Sequence, residues 1–376
     1  MKIAFYTPMK PPGAARPSGD RTIARSLLQA MAAAGHEATV ASTMRSYLAA
    51  PADRERRARI ERDAAAEASR LIAALRPAPP DLWFTYHLFY KAPDLIGPAV
   101  CRALGLPYLV AEASYAPKRD SGPWADRQER VRDALGLADH VFFLNPVDEA
   151  CVIPLLKPGA THSRLPPMVC MQDIDSPDRR REVRRRLAAE WRLPPAAVWA
   201  VAVGMMRPGD KSDSYRRLAD AWMSRPDSRA HLLIVGDGAA GAEVRRLFSG
   251  CEMRVAFLGI LPKDALDAVY RAADLYVWPG VNEAVGMATL EAMAAGLPVA
   301  VGPWGSVAQG IESGVTGLVA RTGDELGRAV GRLIADPELR KTLGAAARAH
   351  VRRRHSLSAA ADAMTAAFED AAGRTP

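Results

Sequence analysis

At 376 residues with a formal net charge of +8, the chain is long enough for two ordinary domains. No window approaches the roughly 18–20 continuous apolar residues of a spanning helix, and MKIAFYTPMKPPG breaks at prolines before any apolar core of signal-peptide length. The expectation is a cytoplasmic protein whose four cysteines (Cys101, Cys151, Cys170, Cys251), lacking any CxxC pair, are free thiols rather than disulfides or a zinc site.

In chain order the pattern is strand, glycine-bearing loop, helix. Ile3–Thr7 reads as a strand, residues 8–20 as a Pro/Gly-rich loop, and residues 21–34 as a helix stopped at Gly35. Strands follow at 38–41, 82–85, 108–111 and 140–144, with an Arg/Ala-rich helix over 54–75. Residues 165–177 carry Pro166, Pro167 and Pro177 and little periodicity, which marks a linker. A second round of strands is predicted at 199–203, 231–235, 254–257, 275–277, 298–301 and 317–319. Its helices are expected near 214–222, 242–248, 263–272 and 287–295, with further Ala/Arg-rich helices beyond Asp336. This alternation argues for parallel α/β sheets with helices on both faces. The expected organisation is a domain over 1–165, a linker over 166–177 and a second domain over 178–355, followed by a segment at 356–376.

The charge needs separate reading. Residues 53–62 hold five arginines and three acids, and residues 178–192 hold seven arginines and three acids. Interleaving of this kind fits solvated helix faces with local ion pairs. A peripheral patch on an anionic membrane is the next reading. Nucleic acid is not expected, because the few aromatics do not alternate with these arginines.

The segment 282–298, NEAVGMATLEAMAAGLP, is the most informative. Glu283 and Glu291 stand eight positions apart with Gly286 between them, and an Ala/Met/Leu helix runs through the second glutamate. A loop carboxylate, a glycine at a helix start and a second carboxylate inside the helix can together grip a polyol phosphate. Alone, an E-x7-E spacing is usually a surface helix with two solvated acids. Upstream, VGMMRPGDK places Arg207 and Lys211 four apart in a glycine-containing loop, where two cations can clamp a diphosphate. Ser18–Gly19–Asp20 precedes a helix, as an N-cap or as a phosphate-facing loop. His87 would sit at the C-terminal end of a parallel strand, the edge where open α/β sheets bind ligands. Gly236–Asp237–Gly238 is a tight turn rather than a dinucleotide fingerprint. No acidic pair is placed to hold a metal diphosphate, no Cys/His cluster suggests zinc, and no Ser/His/Asp arrangement is legible.

Together with Trp278–Pro279 upstream and Ala294, Ala295 and Pro298 at the helix stop, this segment resembles the donor-site signature of glycosyltransferase family 4. The likeness extends over most of the chain, strongest from 201 to 318. It implies a retaining, metal-independent hexosyltransferase of the GT-B fold. That fold has two doubly wound Rossmann-like domains facing across a cleft, with the final helix returning to the N-terminal domain. It implies a nucleotide-diphosphate sugar as co-substrate and no cofactor. The acceptor would be a sugar, a glycolipid or a small-molecule hydroxyl. By the same likeness His87, Lys211 and Glu283 serve catalysis. Gly19, Arg207, Lys211, Glu283, Gly286, Met287 and Glu291 bind the donor, Glu283 at sugar hydroxyls and Glu291 at the ribose. Tyr86, Glu112 and Lys118 fall in the acceptor-reading region. Departures from the family pattern are Ser18 for a glycine, Met205 for an arginine, Val285 in the sugar-packing context, PPMVC in the linker and Gln309 for an acid. Rival readings are a GT-B epimerase or phosphorylase, or a non-catalytic sugar-nucleotide-binding partner.

Overall fold

The computed structural model describes residues 1–15, 18–169, 176–224, 229–283 and 286–373. Of the positions singled out above, Cys170, Val285 and residues 170–175 of the expected linker lie outside them. The chain divides into two compact units, Met1–Met168 with His355–Pro376, and Val169–Arg354.

The first unit holds strands β1 (Lys2–Tyr6), β2 (Glu37–Ser42), β3 (Leu82–Leu88), β4 (Tyr108–Ala113), β5 (His140–Phe143) and β6 (Thr161–Arg164). Among the described residues they form one parallel sheet in the order β2-β1-β3-β4-β5-β6. The runs LWFTYHL, YLVAEA and HVFF are almost wholly buried, as a sheet covered on both faces requires. Its helices are α1 (Gly19–Ala33), α2 (Arg54–Leu75), α3 (Gly97–Leu104), α4 (Ala125–Leu137) and the single turn α5 (Glu149–Val152). Phe5 stacks on Phe84 at 5.7 Å, and Phe84 lies against Phe142 at 6.0 Å.

The second unit holds β7 (Val198–Val203), β8 (Ala230–Val235), β9 (Val255–Gly259), β10 (Leu275–Trp278), β11 (Val299–Val301) and β12 (Leu318–Val319). Its helices are α6 (Pro177–Trp191), α7 (Asp210–Met223), α8 (Gly241–Leu247), α9 (Lys263–Ala272), α10 (Met287–Ala294), α11 (Gly323–Ala335) and α12 (Pro337–Arg354). The sheet is again parallel, ordered β12-β11-β10-β7-β8-β9. The last helix, α13 (Leu357–Gly373), packs on α1 in the first unit. No helix among the described residues is long and apolar enough to cross a membrane.

The strand orders locate the candidate sites. In the first sheet the winding reverses between β1 and β3, and in the second between β7 and β10. The loops leaving the C-terminal ends of two such strands diverge to opposite faces and leave a crevice for ligands. The loops concerned begin at residue 7 and after Leu88 in one unit, and at residues 204 and 279 in the other. Two sequence expectations need correction at this level. Lys211 is not in a loop but in the first turn of α7, and Pro177 is the first residue of α6, capped by Ser176.

Candidate functional site

The reversal point of the second sheet is built around Glu283. Its Oε2 accepts from Lys211 Nζ at 2.8 Å and from the Trp278 indole Nε1 at 2.7 Å. Lys211 also lies 5.2 Å above the Trp278 ring, while Tyr215 meets that ring edge-on at 5.0 Å. Both members of the ion pair are largely withdrawn from solvent, at 29% and 19% exposure.

Helix α7 is the template for this arrangement. Its first turns reach the loop after β10 through three contacts. Asp210 Oδ1 accepts from Asn282 Nδ2 at 2.9 Å, Lys211 binds Glu283, and the buried Ser214 Oγ accepts from the Val281 amide at 3.0 Å. Asn282 adopts a left-handed φ of 48°, which turns the chain into Glu283. Asparagine tolerates this conformation better than most residues. Tyr215, whose hydroxyl donates to the Gly204 carbonyl at 2.6 Å, ties α7 back to the end of β7.

Gly286 then caps α10 with φ 67° and ψ 48°. A Cβ there would sit 2.5 Å from Val307 Cγ2, so only glycine fits. Met287 opens the helix and is buried. Glu291, one turn on, has its Oε2 3.3 Å from the Tyr270 hydroxyl. Burial pushes the Glu291 carboxyl above the ordinary range, against the pull of Lys263. The GDG turn packs on the loop after β7. A Cβ on Gly236 would overlap the Gly204 carbonyl, and the Met206 amide donates to the Asp237 carbonyl at 3.1 Å. Arg207 is exposed and donates to Met205 Sδ at 2.8 Å. Among the described residues no hydrogen bond joins it to Glu283.

At the reversal point of the first sheet, Ser18 caps α1 by accepting from the Arg21 amide at 3.3 Å. Gly19 is exposed, and a Cβ on it would meet nothing within 4 Å. The fold itself therefore does not demand glycine there. His87 Nδ1 lies 3.2 Å from Asp20 Oδ1, and its ring stacks on Phe89 at 4.7 Å. Both His87 (φ 68°) and Glu112 (φ 57°) are left-handed at adjoining strand ends, and strain of this kind clusters at functional sites. Burial lowers the His87 pKa, but Glu112, Asp20 and then Asp148 outweigh it, and the net shift is upward. Tyr86 is buried, with its hydroxyl beside Glu112. Lys118 is exposed on the turn Pro117–Arg119.

The structure thus gathers Lys211, Glu283 and Gly286 in one unit and His87, Glu112 and Tyr86 in the other. It leaves Arg207 and Lys118 outside both groups. Sequence reasoning did not find Trp278, Asp20 or Asp148 as partners. Trp278 was legible only as a strand end and Asp20 only as a cap. Among the described residues no group of three or more His, Cys, Asp or Glu side chains is placed to hold a metal ion.

Two parallel six-stranded sheets with helices on both faces are the GT-B fold. Sucrose-phosphate synthase from Thermosynechococcus elongatus aligns over 98% of both chains with a TM-score of 0.73 at 20% identity. Anabaena HepE, solved with UDP and glucose, aligns over 98% of this chain and 100% of its own with a TM-score of 0.71 at 16% identity. Within that fold, residues 198–336 match the family described as Glycosyl transferases group 1. It is 30% identical over 230 residues to D-inositol 3-phosphate glycosyltransferase of Corynebacterium jeikeium (strain K411), covering 58% of this chain and 52% of the relative. It is 29% identical over 204 residues to alpha-D-kanosaminyltransferase of Streptomyces kanamyceticus, covering 53% of this chain and 51% of the relative. The matches span about half the length of these curated relatives.

Proposed function

We propose that the chain is a retaining hexosyltransferase of glycosyltransferase family 4 that moves a sugar from a nucleotide-diphosphate sugar to an acceptor hydroxyl. The observation that carries this reading is the Lys211–Glu283–Trp278 cluster, set at a sheet reversal point beside the glycine-capped start of α10. A nucleotide-sugar transferase must hold a diphosphate, hold a sugar, and stabilise the leaving phosphate as the anomeric bond breaks. Lys211 and the amides at the start of α10 supply positive charge and donors for the phosphates. Glu283, fixed by two donors on Oε2, keeps its second oxygen for sugar hydroxyls. Glu291, inside α10, accepts the ribose hydroxyls; binding them compensates the burial of its carboxylate.

The acceptor reaches its hydroxyl toward the anomeric carbon from the face that the phosphate leaves, and that phosphate takes up its proton. His87 stands by the transferred sugar, and Gly19, whose glycine the fold does not require, allows close approach of a phosphate to the start of α1. Lys211 and the α10 amides take the place of a metal. The arginine faces of α2 and α6 are where a peripheral contact with an anionic membrane would form.

The test is calorimetric titration of UDP, GDP, ADP and CDP against the full chain and Glu291→Ala, followed by transfer assays with the bound sugar nucleotide on Glu283→Gln. One nucleotide is expected to bind, with affinity reduced about ten-fold or more in Glu291→Ala. Glu283→Gln is expected to lose about a hundred-fold or more in turnover, and a chelator to change nothing. Binding of none of the four, or normal turnover in Glu283→Gln, would overturn the assignment.

A further inference from the structure

This inference rests on the transferase reading and concerns how Glu283 keeps its place when the donor arrives. Two groups donate to one oxygen of that carboxylate, Lys211 Nζ at 2.8 Å and Trp278 Nε1 at 2.7 Å. They differ in what else can claim them. Lys211 is a full positive charge in the first turn of α7, with 29% of its side chain exposed. A diphosphate entering at this reversal point competes with Glu283 for that charge, because a multiply charged anion attracts an ammonium group more strongly than one carboxylate does. The indole has one N–H, no acceptor and no net charge, and Trp278 is only 1% exposed. An anion therefore has neither a hold on it nor access to it.

The indole is fixed from several sides. Trp278 ends β10, in register with Val301 of β11. A Cβ on Gly204 would lie 2.6 Å from the Trp278 Cη2, so the chain leaving β7 is glycine where the ring packs. Tyr215 of α7 meets the ring edge-on at 5.0 Å, and its hydroxyl donates to the Gly204 carbonyl at 2.6 Å. A packed ring has little freedom left to lose in holding a hydrogen bond, whereas a lysine must order a long chain. Of the two donors on Glu283, the indole is thus the rigid one and Lys211 the one that a ligand can recruit.

We propose that Trp278 is a positioning residue that permits an exchange: the donor's diphosphate draws Lys211 away from Glu283, and the indole N–H alone then keeps the carboxylate satisfied and aimed at the sugar. The Lys211–Glu283 pair is the resting contact, and the Trp278–Glu283 bond is the lasting one. Without the indole N–H, recruitment of Lys211 would strip a carboxylate that is 19% exposed of both its protein donors, and diphosphate binding would weaken accordingly.

The experiment is a double-mutant cycle on the full chain: native, Trp278→Phe, Lys211→Met and the two combined. Each form is titrated calorimetrically with UDP, GDP, ADP and CDP and with the corresponding nucleosides, which lack the diphosphate. Trp278→Phe is expected to weaken the nucleoside diphosphate about ten-fold when Lys211 is present. In the Lys211→Met background it is expected to change that affinity by no more than about two-fold, and nucleoside binding should be unaffected in either background. A ring that served only to hold the fold would weaken nucleoside and diphosphate alike, with or without Lys211. Placing β-(3-benzothienyl)alanine at position 278 keeps the shape of the ring and removes the N–H. It is expected to match Trp278→Phe, and it decides the matter should the phenylalanine variant fold poorly. Native affinity in both N–H-deficient forms, the same weakening with and without Lys211, or an equal loss of nucleoside binding would overturn the proposal while leaving the transferase reading intact. Binding of none of the four nucleotides to the native chain would overturn that reading and this inference with it.

Discussion

His87 illustrates how much a single side chain depends on its setting. Its ring is buried, which alone would favour the neutral form, yet Glu112, Asp20 and Asp148 hold its pKa above the ordinary 6.5. A raised folded pKa means that the folded state binds the proton more tightly than the unfolded chain. The resulting stabilisation is complete below about pH 6.5 and is lost as the pH climbs through the raised value. His87→Gln should therefore lower the unfolding temperature at pH 6 by more than at pH 9, measured by calorimetry or circular dichroism. A deficit that stays constant over this range would show that the charge on His87 contributes nothing. Trp278 makes the complementary point. Its indole is buried in the sheet edge, and its one polar atom is spent on Glu283. A tryptophan there adds a second donor to the carboxylate oxygen that Lys211 already holds.

At the scale of elements, α10 and α7 do most of the positioning. Gly286 stands in a left-handed conformation that costs a side-chain-bearing residue roughly 1–2 kcal/mol, and its place for a Cβ is filled by Val307. Gly286→Ala is expected to lower the unfolding temperature and to weaken nucleotide binding about ten-fold, by shifting the amides at the start of α10. Thermal unfolding and calorimetric titration on one preparation check both. Unchanged affinity would remove the α10 N-terminus from the donor site. The arginine run of α6 is partly structural. Arg180 and Arg184 donate to the carbonyls of Ala273 and Ala272 at 2.6 Å each, Arg184 pairs with Asp274, and its guanidinium lies 4.3 Å over Trp199. The interleaved acids were therefore a poor guide to these two partners, which come from distant segments. Strand β6 was not legible at all. Its sequence THSR has no apolar run, and its strand character comes from pairing with β5 at the sheet edge.

For the whole molecule, the C-terminal helix has structural weight out of proportion to its place in the chain. Phe368 is fully buried in the first unit, edge-on to Phe84 at 5.9 Å and to Phe142 at 6.3 Å, and 5.3 Å from the His36 ring. His36 Nε2 also meets Thr365 Oγ1 at 3.0 Å. Phe368→Ala should cost about 3–5 kcal/mol of stability. The loss should appear as an earlier unfolding transition for the first unit, followed through its exchange-protected β3–β5 amides. Retained protection would mean that α13 is an accessory to that sheet rather than part of its core.

By itself the sequence determined the local repeat of strand, loop and helix. It also determined the spacing of Glu283, Gly286 and Glu291, because these depend on apolar runs, on helix period and on glycine's freedom at one turn. Only the tertiary structure decided the strand orders, since parallel strands are joined by crossovers and neighbouring strands in a sheet need not be neighbours in sequence. Those orders set the two reversal points. They in turn brought Lys211 to Glu283 across 72 residues and Asp20 to His87 across 67. No periodicity in a single segment encodes such a pairing; it follows from packing helices onto sheets whose order is fixed by the sum of many buried contacts.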